Sequence, residues 1–323
     1  MSGKAAAKAP ANIALIKFWG KKNEKLRLPM NNSISLNLSE VYTVTTVEFD
    51  DLLKRDRVIL DGIEAEREEI GRVSKHLDRV RLLAKVRTRA CVESRNNFPK
   101  GTGIASSASG FAALSLASTA ALGLKLTERQ LSVLARLGSG SACRSIPDGW
   151  VEWKAGDTSD MSYAYSLHDQ AYWDICDLVC LVGRAKKKVS SSEGHLVAGS
   201  SPFYRSRIHS MKDKIREIKR AIKRKDFTKM GEITEAEAVN MHAVMMTSDP
   251  PLFYWTPATL ELMLAVSEER ANGLESYFTI DAGPNVHVIC RKKDVGRLTQ
   301  MFNQIKGIED IIVNQVARGA HLV

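Results

Sequence analysis

Residues 98–124 read FPKGTGIASSASGFAALSLASTAALGL, and this stretch decides the fold. Its second part, residues 110–124, is a weakly polar run rich in alanine and serine, which predicts a buried helix. In the first part, Gly101 and Gly103 let the backbone approach a ligand closely. The serines that follow open the helix, whose first N–H groups have no internal partner. This combination predicts an anion site suited to the phosphates of a nucleotide.

The same turn also has a plainer interpretation. It is not the P-loop pattern, because no Gly-Lys-Ser/Thr ends it, and it is not the dinucleotide-binding fingerprint. A turn rich in glycine and serine is also typical of an ordinary helix start. The nucleotide site therefore depends on what the rest of the chain carries.

Strand and helix patterns mix on both sides of this stretch. Alternating or β-branched runs predict strands, and apolar residues three and four apart predict helices. The predicted strands are residues 33–38, 41–49, 57–60, 86–93, 173–182, 277–280, 286–290 and 308–313. The predicted helices other than 110–124 are residues 64–85, 127–135, 208–222, 256–272 and 294–306. Because the two kinds of element do not alternate strictly, we expect an α+β fold rather than a doubly wound parallel sheet.

Length and composition indicate an ordinary globular protein. The chain has 323 residues, 44% hydrophobic and 26% charged, and this length predicts roughly two domains. No apolar run reaches the length of about 18 residues that predicts a membrane span, and residues 1–10 lack the apolar core of a secretory signal. The five cysteines are scattered without a Cys-x-x-Cys pair, so a zinc site is not predicted. We therefore expect a cytoplasmic protein that does not bind membranes.

The formal net charge of +10 favours anionic partners. Lysine and arginine are concentrated on the predicted helix 208–222, and nucleic-acid binding is one interpretation of that helix. A solvated helix face is the favoured interpretation, because interleaved aromatic residues and a recognised motif are both missing. The expected partners are small anionic molecules and not nucleic acid.

Three further segments carry side chains suited to chemistry. Residues 137–145 form a turn of small residues beside Arg144, whose planar guanidinium suits a carboxylate or phosphate. Lys17 follows an apolar run and is expected to be partly buried, as many structural lysines also are. Asp281 lies between a strand and a Gly-Pro turn, where it either caps the turn or acts as a catalytic carboxylate. Lys17 and Asp281 would make a suitable pair, because the cation keeps the acid ionised and the acid orients a substrate hydroxyl.

Six blocks of sequence, taken together, carry a resemblance to a known family. They are residues 9–21 (APANIALIKFWGK), 96–99 (NNFP), 105–109 (ASSAS), 138–145 (GSGSACRS), 151–153 (VEW) and 281–285 (DAGPN). In this order they resemble the mevalonate diphosphate decarboxylases, members of the GHMP kinase superfamily, from about residue 9 to about residue 290.

The resemblance implies the GHMP kinase fold, with two lobes around a deep cleft. Residues 1–183 would form an ATP-binding lobe like domain 2 of ribosomal protein S5, and residues 184–323 a ferredoxin-like lobe. The implied reaction is the ATP-dependent decarboxylation of mevalonate 5-diphosphate to isopentenyl diphosphate, which releases ADP, phosphate and CO₂. ATP and Mg²⁺ are the implied cofactors, with Mg²⁺ held through the ATP phosphates, and a homodimer is the implied assembly.

The resemblance also implies roles for individual residues. Asp281 orients or deprotonates the tertiary hydroxyl of the substrate, and Lys17 is its cationic partner. The residues implied to bind ATP are Gly101, Gly103, Ser106 and Ser107. Of the residues implied to bind the substrate, Arg144 and Ser139 meet its carboxylate. The others are Lys21 and Ser141 at the 5-phosphate end, together with Asn12, Phe18 and His195.

Three departures from the family pattern flank the substrate end. Phe18 replaces the usual tyrosine, residues 146–149 read IPDG instead of Leu-Phe-Gly-Gly, and Gly194-His195 replaces Gly-Met. These departures resemble a subgroup that includes decarboxylases of 5-phosphomevalonate, whose product is isopentenyl phosphate. Lys21 is retained, which favours the diphosphate as substrate.

Two alternatives from other classes remain at this point. A kinase that phosphorylates the 3-hydroxyl and stops is disfavoured by the retention of both Lys17 and Asp281. A non-catalytic binder of phosphorylated metabolites or nucleic acid would be driven by the net charge of +10 and by the basic helix at residues 212–225. Joint release of CO₂ and ADP distinguishes a decarboxylase from both.

Overall fold

The computed structural model describes residues 3–98, 106–183 and 189–323, and within them it is a mixed α+β structure. The strands of these parts are β1 (Gly3–Ile16), β2 (Lys21–Asn23), β3 (Leu28–Pro29), β4 (Ser33–Asp50), β5 (Arg57–Leu60), β6 (Ile63–Glu64), β7 (Arg89–Asn96), β8 (Trp150–Trp153), β9 (Ala164–His168), β10 (Ile175–Val182), β11 (Ser276–Thr279), β12 (Val286–Arg291), β13 (Ile308–Gln315) and β14 (His321–Leu322). The α-helices are α1 (Arg67–Ala84), α2 (Ser106–Ala121), α3 (Glu128–Gly138), α4 (Ser191–Val197), α5 (Tyr204–Arg224), α6 (Phe227–Met246), α7 (Pro257–Ala271) and α8 (Val295–Phe302).

The larger sheet is organised around the long antiparallel pair β1 and β4. Its strand order is β14-β1-β4-β7-β5-β6, and β8 and β9 extend it from the first half of β4. The only parallel pairing among the described strands is β5 with β7. Helix α2 packs directly on β1 and β4.

Small side chains explain how closely α2 approaches this sheet. The alanines Ala112, Ala113 and Ala117 of the helix share a core with Ala7 and Ala9 of β1. A Cβ added at Gly3 would lie 1.9 Å from the backbone oxygen of Ala121. The alanine-rich run thus lets α2 lie close against β1.

The smaller sheet is antiparallel, with the strand order β11-β12-β10-β13. Strand β10 is buried on both faces, and its side chains alternate between two cores. Cys176, Leu178 and Cys180 pack with residues of α7 and α8. Val179 and Leu181 face the other way, into a core shared with β1, β4, α5 and α6. The two sheets are therefore joined through one apolar layer.

The chain crosses between the sheets more than once. Strand β10 precedes residue 183, yet it pairs with β12 and β13, and β14 returns from the C-terminal region to pair with β1. The boundary between residues 183 and 184 stays a prediction, because the sheets share a core at this point.

Helix α5 confirms the helix predicted over residues 208–222 and extends beyond it at both ends. Met211, Ile218 and Ile222 are buried, and most of its lysines and arginines are exposed. The strand predicted at residues 86–93 begins later, at Arg89, since residues 86–88 follow the left-handed end of α1 at Lys85. No helix in the described parts of the chain is long and apolar enough to cross a membrane.

Candidate active site

Lys17 and Asp281 are in direct contact although 264 residues separate them. Lys17 follows the last residue of β1, and Asp281 lies just beyond β11. The Nζ atom of Lys17 donates a hydrogen bond of 2.6 Å to Oδ1 of Asp281. The side chain of Lys17 is 1% exposed and that of Asp281 is 32% exposed. The ammonium is therefore enclosed, while the carboxylate keeps an open side that a ligand can reach.

The pair is electrostatically asymmetric. Burial acts to raise the pKa of Asp281, but the Lys17 ammonium, with smaller effects of His287 and Arg144, lowers this pKa below its ordinary value. Burial lowers the pKa of Lys17, and Asp281 opposes that shift. At neutral pH the site thus presents an ionised carboxylate against a cation.

A buried histidine supports the backbone of Asp281. The Nε2 atom of His242 lies 3.1 Å from the carbonyl oxygen of Asp281, and since a carbonyl only accepts, Nε2 carries the proton. Burial lowers the pKa of His242 to about 3, so the ring is neutral at neutral pH. Its ring packs on Trp255, with the ring centroids 4.8 Å apart.

Arg144 lies in the short 3₁₀ turn Gly140–Ser145 that follows α3. Its Nε donates to Oδ1 of Asn12 at 3.0 Å, and its Nη1 donates to Oγ of Ser33 at 2.8 Å. Asn12 in turn donates through Nδ2 to Oγ of Ser145 at 2.8 Å and to the backbone oxygen of Ser141 at 3.2 Å. These bonds fix the plane of the guanidinium, which is suited to an anion with two oxygens. Burial lowers the pKa of Arg144, and Asp281 is one of the groups that opposes this shift.

Two serines connect the predicted nucleotide and substrate groups. Ser139 ends α3, and its Oγ lies 3.2 Å from Oγ of Ser107 in the first turn of α2. Ser106 is the first residue of α2, but its side chain lies outside the described residues, as do Gly101 and Gly103. The first turn of α2 carries no acidic residue, so its N–H groups face no competing carboxylate from that turn.

Phe18 and His195 form an aromatic wall beside Arg144. The ring of His195, on α4, lies between Phe18 and Trp19, at centroid distances of 4.2 and 4.6 Å. Its Nδ1 accepts the backbone N–H of Gly20 at 2.9 Å, so the neutral ring carries its proton on Nε2. Burial, followed by the nearby cations Lys21, Arg27 and Arg144, lowers the pKa of His195 well below 6.5. His195 is therefore a neutral donor at a cationic site.

Lys21 is nearly buried, and its Nζ lies 2.7 Å from Oε2 of Glu24. The side chain of Lys21 is 4% exposed and that of Glu24 is 50% exposed. Lys21, the cation predicted for the phosphate end of the substrate, is thus already paired with the solvent-facing carboxylate of Glu24.

Sequence reasoning missed two charged residues that contact the backbone of Lys17. Glu237 of α6 and Arg207 of α5 form a fully buried ion pair, and both bond to the backbone of Lys17. The available signal was spacing, since Arg207 falls four residues before Met211, on the apolar stripe of α5. Among the residues that the structure describes, no group of three or more His, Cys, Asp or Glu is arranged to hold a metal ion.

Comparison with known proteins places this geometry in context. Residues 9–164 match the family of the diphosphomevalonate decarboxylase-like N-terminal domain, and residues 177–321 match the mevalonate 5-diphosphate decarboxylase C-terminal domain. The diphosphomevalonate decarboxylase of Ganoderma lucidum is 35% identical, over 95% of this chain and 84% of its own length. The human diphosphomevalonate decarboxylase is 34% identical, over 86% of this chain and 74% of its own length.

Solved structures agree over the whole chain. Mevalonate diphosphate decarboxylase from Staphylococcus aureus has a TM-score of 0.96 and 38% identity, covering 100% of this chain and 98% of its own. A structure of MDDEF in complex with MVAPP, AMPPCP and magnesium has a TM-score of 0.94 and 40% identity, covering 100% of this chain and 99% of its own.

Proposed function

The chain belongs to the diphosphomevalonate decarboxylase family, and from this premise we propose how the site at Lys17 and Asp281 acts. The protein is an ATP-dependent decarboxylase with the GHMP kinase fold. It converts mevalonate 5-diphosphate and ATP into isopentenyl diphosphate, ADP, phosphate and CO₂, a step of the mevalonate pathway of isoprenoid biosynthesis. The observation that carries the proposed mechanism is the enclosed Lys17 ammonium against the partly open Asp281 carboxylate.

Asp281 orients the tertiary hydroxyl of the substrate and accepts its proton as the oxygen attacks the terminal phosphate of ATP. Its pKa is low, so the carboxylate is ionised when the substrate arrives. Lys17 holds one carboxylate oxygen, which leaves the other free to face the hydroxyl. This is general base catalysis by a positioned group.

Arg144 and Ser139 bind the substrate carboxylate, with Asn12 holding Arg144 in plane. The support is the pair of bonds from Arg144 to Asn12 and Ser33, which fixes the direction of the guanidinium before the substrate binds. A carboxylate held in this way lies near Asp281, because Arg144 and Asp281 interact electrostatically. Binding therefore orients the C3 alcohol and the carboxylate together.

Lys21, Ser141 and His195 bind the 5-diphosphate end, and Phe18 closes that side of the pocket. Lys21 supplies positive charge, and Nε2 of His195 supplies a neutral donor. The aromatic packing of Phe18 on His195 and Trp153 excludes water from this wall. Phe18 also leaves out the hydroxyl that a tyrosine would contribute. Together with the departures at residues 146–149 and at Gly194-His195, this favours 5-phosphomevalonate as a second candidate substrate.

The start of α2 binds the ATP phosphates. The first N–H groups of a helix have no partner within it, and Ser107 is exposed at this end of α2. Both are donors of the kind that phosphate oxygens require. Gly101, Gly103 and Ser106 complete this group in the proposal. ATP phosphate oxygens are ligands that Mg²⁺ prefers, so the ion is held mainly by the nucleotide.

After the transfer, the C3–O bond breaks and the departing phosphate keeps its electron pair. Positive charge then grows at C3. The C1–C2 bond breaks, its electrons form the C2–C3 double bond, and CO₂ leaves. The fixed charges of Lys17, Asp281 and Arg144 in an enclosed site need no reorganisation during these steps.

Joint measurement of products tests the function. The protein is incubated with ATP, Mg²⁺ and mevalonate 5-diphosphate, and CO₂ and ADP are followed together. Equal amounts of both are expected. ADP without CO₂ would indicate a 3-kinase, and neither product would indicate a non-catalytic binder.

We also propose that the protein is a homodimer, on the support of the family alone. Light scattering coupled to size-exclusion chromatography tests this, and a mass equal to one chain of 35.7 kDa would contradict it.

A further inference from the structure

A buried ion pair between α5 and α6 holds the backbone of Lys17. Oε1 of Glu237 accepts from Nη2 of Arg207 at 2.6 Å, and both side chains are 0% exposed. The same Oε1 accepts the backbone N–H of Lys17 at 3.4 Å, and the same Nη2 donates to the carbonyl oxygen of Lys17 at 3.4 Å. The two peptide groups on either side of the Lys17 Cα are thus each bonded to one member of the pair.

The position of Lys17 in the fold explains why it needs such partners. The ladder between β1 and β4 ends at the pairing of Ile16 with Ile34, so the next residue has no strand partner in that ladder. Asn31 provides one further bond, from its Nδ2 to the carbonyl oxygen of Lys17 at 3.1 Å. The buried peptide groups of Lys17 are therefore satisfied by side chains rather than by the sheet.

Stability alone is a weak explanation for this ion pair. Replacing a buried ion pair by apolar residues of similar volume is often neutral or stabilising. The pair is also incompletely bonded, because Nε of Arg207 has no hydrogen-bond partner among the described residues. The bonds that the guanidinium of Arg207 makes to oxygen atoms of the described residues go to Glu237 and to Lys17.

We propose that Arg207 and Glu237 are positioning residues for Lys17, which keep its Nζ within hydrogen-bond distance of Asp281 during the reaction. This inference rests on the function proposed above, in which Lys17 and Asp281 act on the tertiary alcohol. A lysine side chain has four carbons between its backbone and its nitrogen. A displacement of the Lys17 Cα therefore displaces Nζ as well. Displacement of a catalytic group by about 1 Å can cost about 100-fold in rate.

Glu237 also affects the charge of Lys17. The charged and titratable groups that face Lys17 are Asp281, Arg144, Glu237, Arg207 and His242. The negative charge of Glu237 favours the protonated form of Lys17, against the lowering of its pKa by burial. Lys214 holds the other oxygen of Glu237, at 2.9 Å, and so keeps that carboxylate in place.

Steady-state kinetics of Glu237→Gln and Arg207→Lys in the full chain test the proposal. For Glu237→Gln we expect kcat to fall by about 10- to 100-fold, with KM for mevalonate 5-diphosphate changed less than about threefold. We also expect the basic limb of its kcat–pH profile to move to lower pH, because Lys17 loses a neighbour that keeps it protonated. Because Arg207→Lys keeps the cation, we expect it to retain more of the wild-type kcat than Glu237→Gln.

A matched control is Lys219→Gln, since Lys219 lies on α5 like Arg207. Lys219 donates to the buried carboxylate of Glu152 at 2.6 Å, and that bond involves no atom of Lys17. Its kcat and pH profile should stay within about twofold of the wild type, even where its thermal stability falls as much as that of Glu237→Gln.

The double variant Arg207→Met/Glu237→Met covers the case in which Glu237→Gln does not fold, since it leaves neither charge of the pair buried alone. It should fold and still show the reduced kcat. A double variant with the kcat and pH profile of the wild type would overturn the inference. Failure of the wild type to turn over mevalonate 5-diphosphate would instead overturn the proposed function.

Discussion

Ser107 Oγ lies 3.2 Å from Ser139 Oγ, where the first turn of α2 meets the end of α3. The family resemblance gives the first serine to ATP and the second to the substrate carboxylate. Phosphoryl transfer depends on holding the attacking and leaving groups in line, so the two binding groups have to be neighbours. The contact between the two hydroxyls places the proposed ATP group next to the proposed substrate group.

Asp281→Asn should abolish turnover and leave ATP affinity nearly unchanged. The amide cannot accept the proton of the substrate alcohol, and loss of a positioned base costs about 100- to 10,000-fold in kcat. Steady-state kinetics and nucleotide titration measure the two quantities. Asp157→Asn is the control, because Asp157 pairs with Lys22 while its side chain is 92% exposed. An Asp281→Asn enzyme with more than about a tenth of the wild-type kcat would disprove the role.

Arg144→Lys should fail to restore function although the charge is kept. A lysine cannot reproduce the bonds to both Asn12 and Ser33, so the direction of the cation is lost. We expect kcat/KM to fall by about 10- to 150-fold, the value of one hydrogen bond to a charged group. Arg129→Lys is the control, since the exposed side chain of Arg129 donates to the backbone oxygen of Asp160. Normal kinetics for Arg144→Lys would mean that Arg144 is structural.

Phe18→Tyr should improve use of mevalonate 5-diphosphate. A hydroxyl on this ring adds a donor at the phosphate end, worth about 1.5–3 kcal/mol, or roughly 10- to 150-fold in kcat/KM. Competition between the diphosphate and 5-phosphomevalonate at fixed ATP measures the preference before and after the change. Phe203→Tyr, at an exposed position, is the control. If the wild type prefers the monophosphate, the ranking of the two substrates is wrong.

His76 should make the protein less stable as the pH falls. The ring is buried, and burial lowers its pKa from 6.5 to about 3, so the unfolded chain binds the proton more tightly. The contribution of the neutral His76 ring to the free energy of unfolding is present above pH 6.5 and is lost as the pH falls towards about 3. Between pH 7 and 5 the wild type should lose about 2 kcal/mol more unfolding free energy than His76→Gln. Urea titrations at both pH values test this, and equal losses would contradict it.

Gly194→Ala should loosen the contact of α4 with the aromatic wall. A Cβ at this position would lie 2.5 Å from an atom of the Trp19 ring, so the helix or the ring has to move. Overpacking of this kind costs about 1–3 kcal/mol, and KM for the substrate should rise because His195 moves with the helix. Gly296→Ala in α8 is the control, where a Cβ meets nothing within 4 Å and alanine should stabilise by about 0.5–1 kcal/mol. An unchanged melting temperature for Gly194→Ala would refute the contact.

The sequence predicted elements with a clear apolar pattern better than elements without one. Most of α5, α7 and β10 was found from apolar spacing or an apolar run. Strand β1 was missed because alanines and Pro10 give it no strand pattern, and its conformation depends on pairing with β4 and on the close approach of α2. Helix α6 was missed because it is buried on several sides, which removes the single apolar stripe that identifies a helix.

The chemistry of the site and the pairing of Lys17 with Asp281 could be predicted, but not the contacts that hold this pair in place. Lysine, aspartate and arginine at Lys17, Asp281 and Arg144 indicate acid–base and anion chemistry by their type. The pairing of Lys17 with Asp281 was predicted from their complementary charges and from the family resemblance. The position of β1 beside β11, which brings the two residues together, is not revealed by any local pattern. Arg207 and Glu237 were missed because charged residues on helices are usually exposed, and only the packing of α5 on α6 encloses them.

The pairing of β10 has a consequence for how the protein is made. Its two neighbours, β12 and β13, are translated more than a hundred residues after it begins. While the ribosome completes those residues, the nascent chain carries an apolar strand whose two edges are unpaired and whose face at Cys176, Leu178 and Cys180 still lacks α8. We expect the newborn polypeptide to depend on chaperone protection at this stage, and the smaller sheet to assemble only after the segment containing β13 has left the exit tunnel.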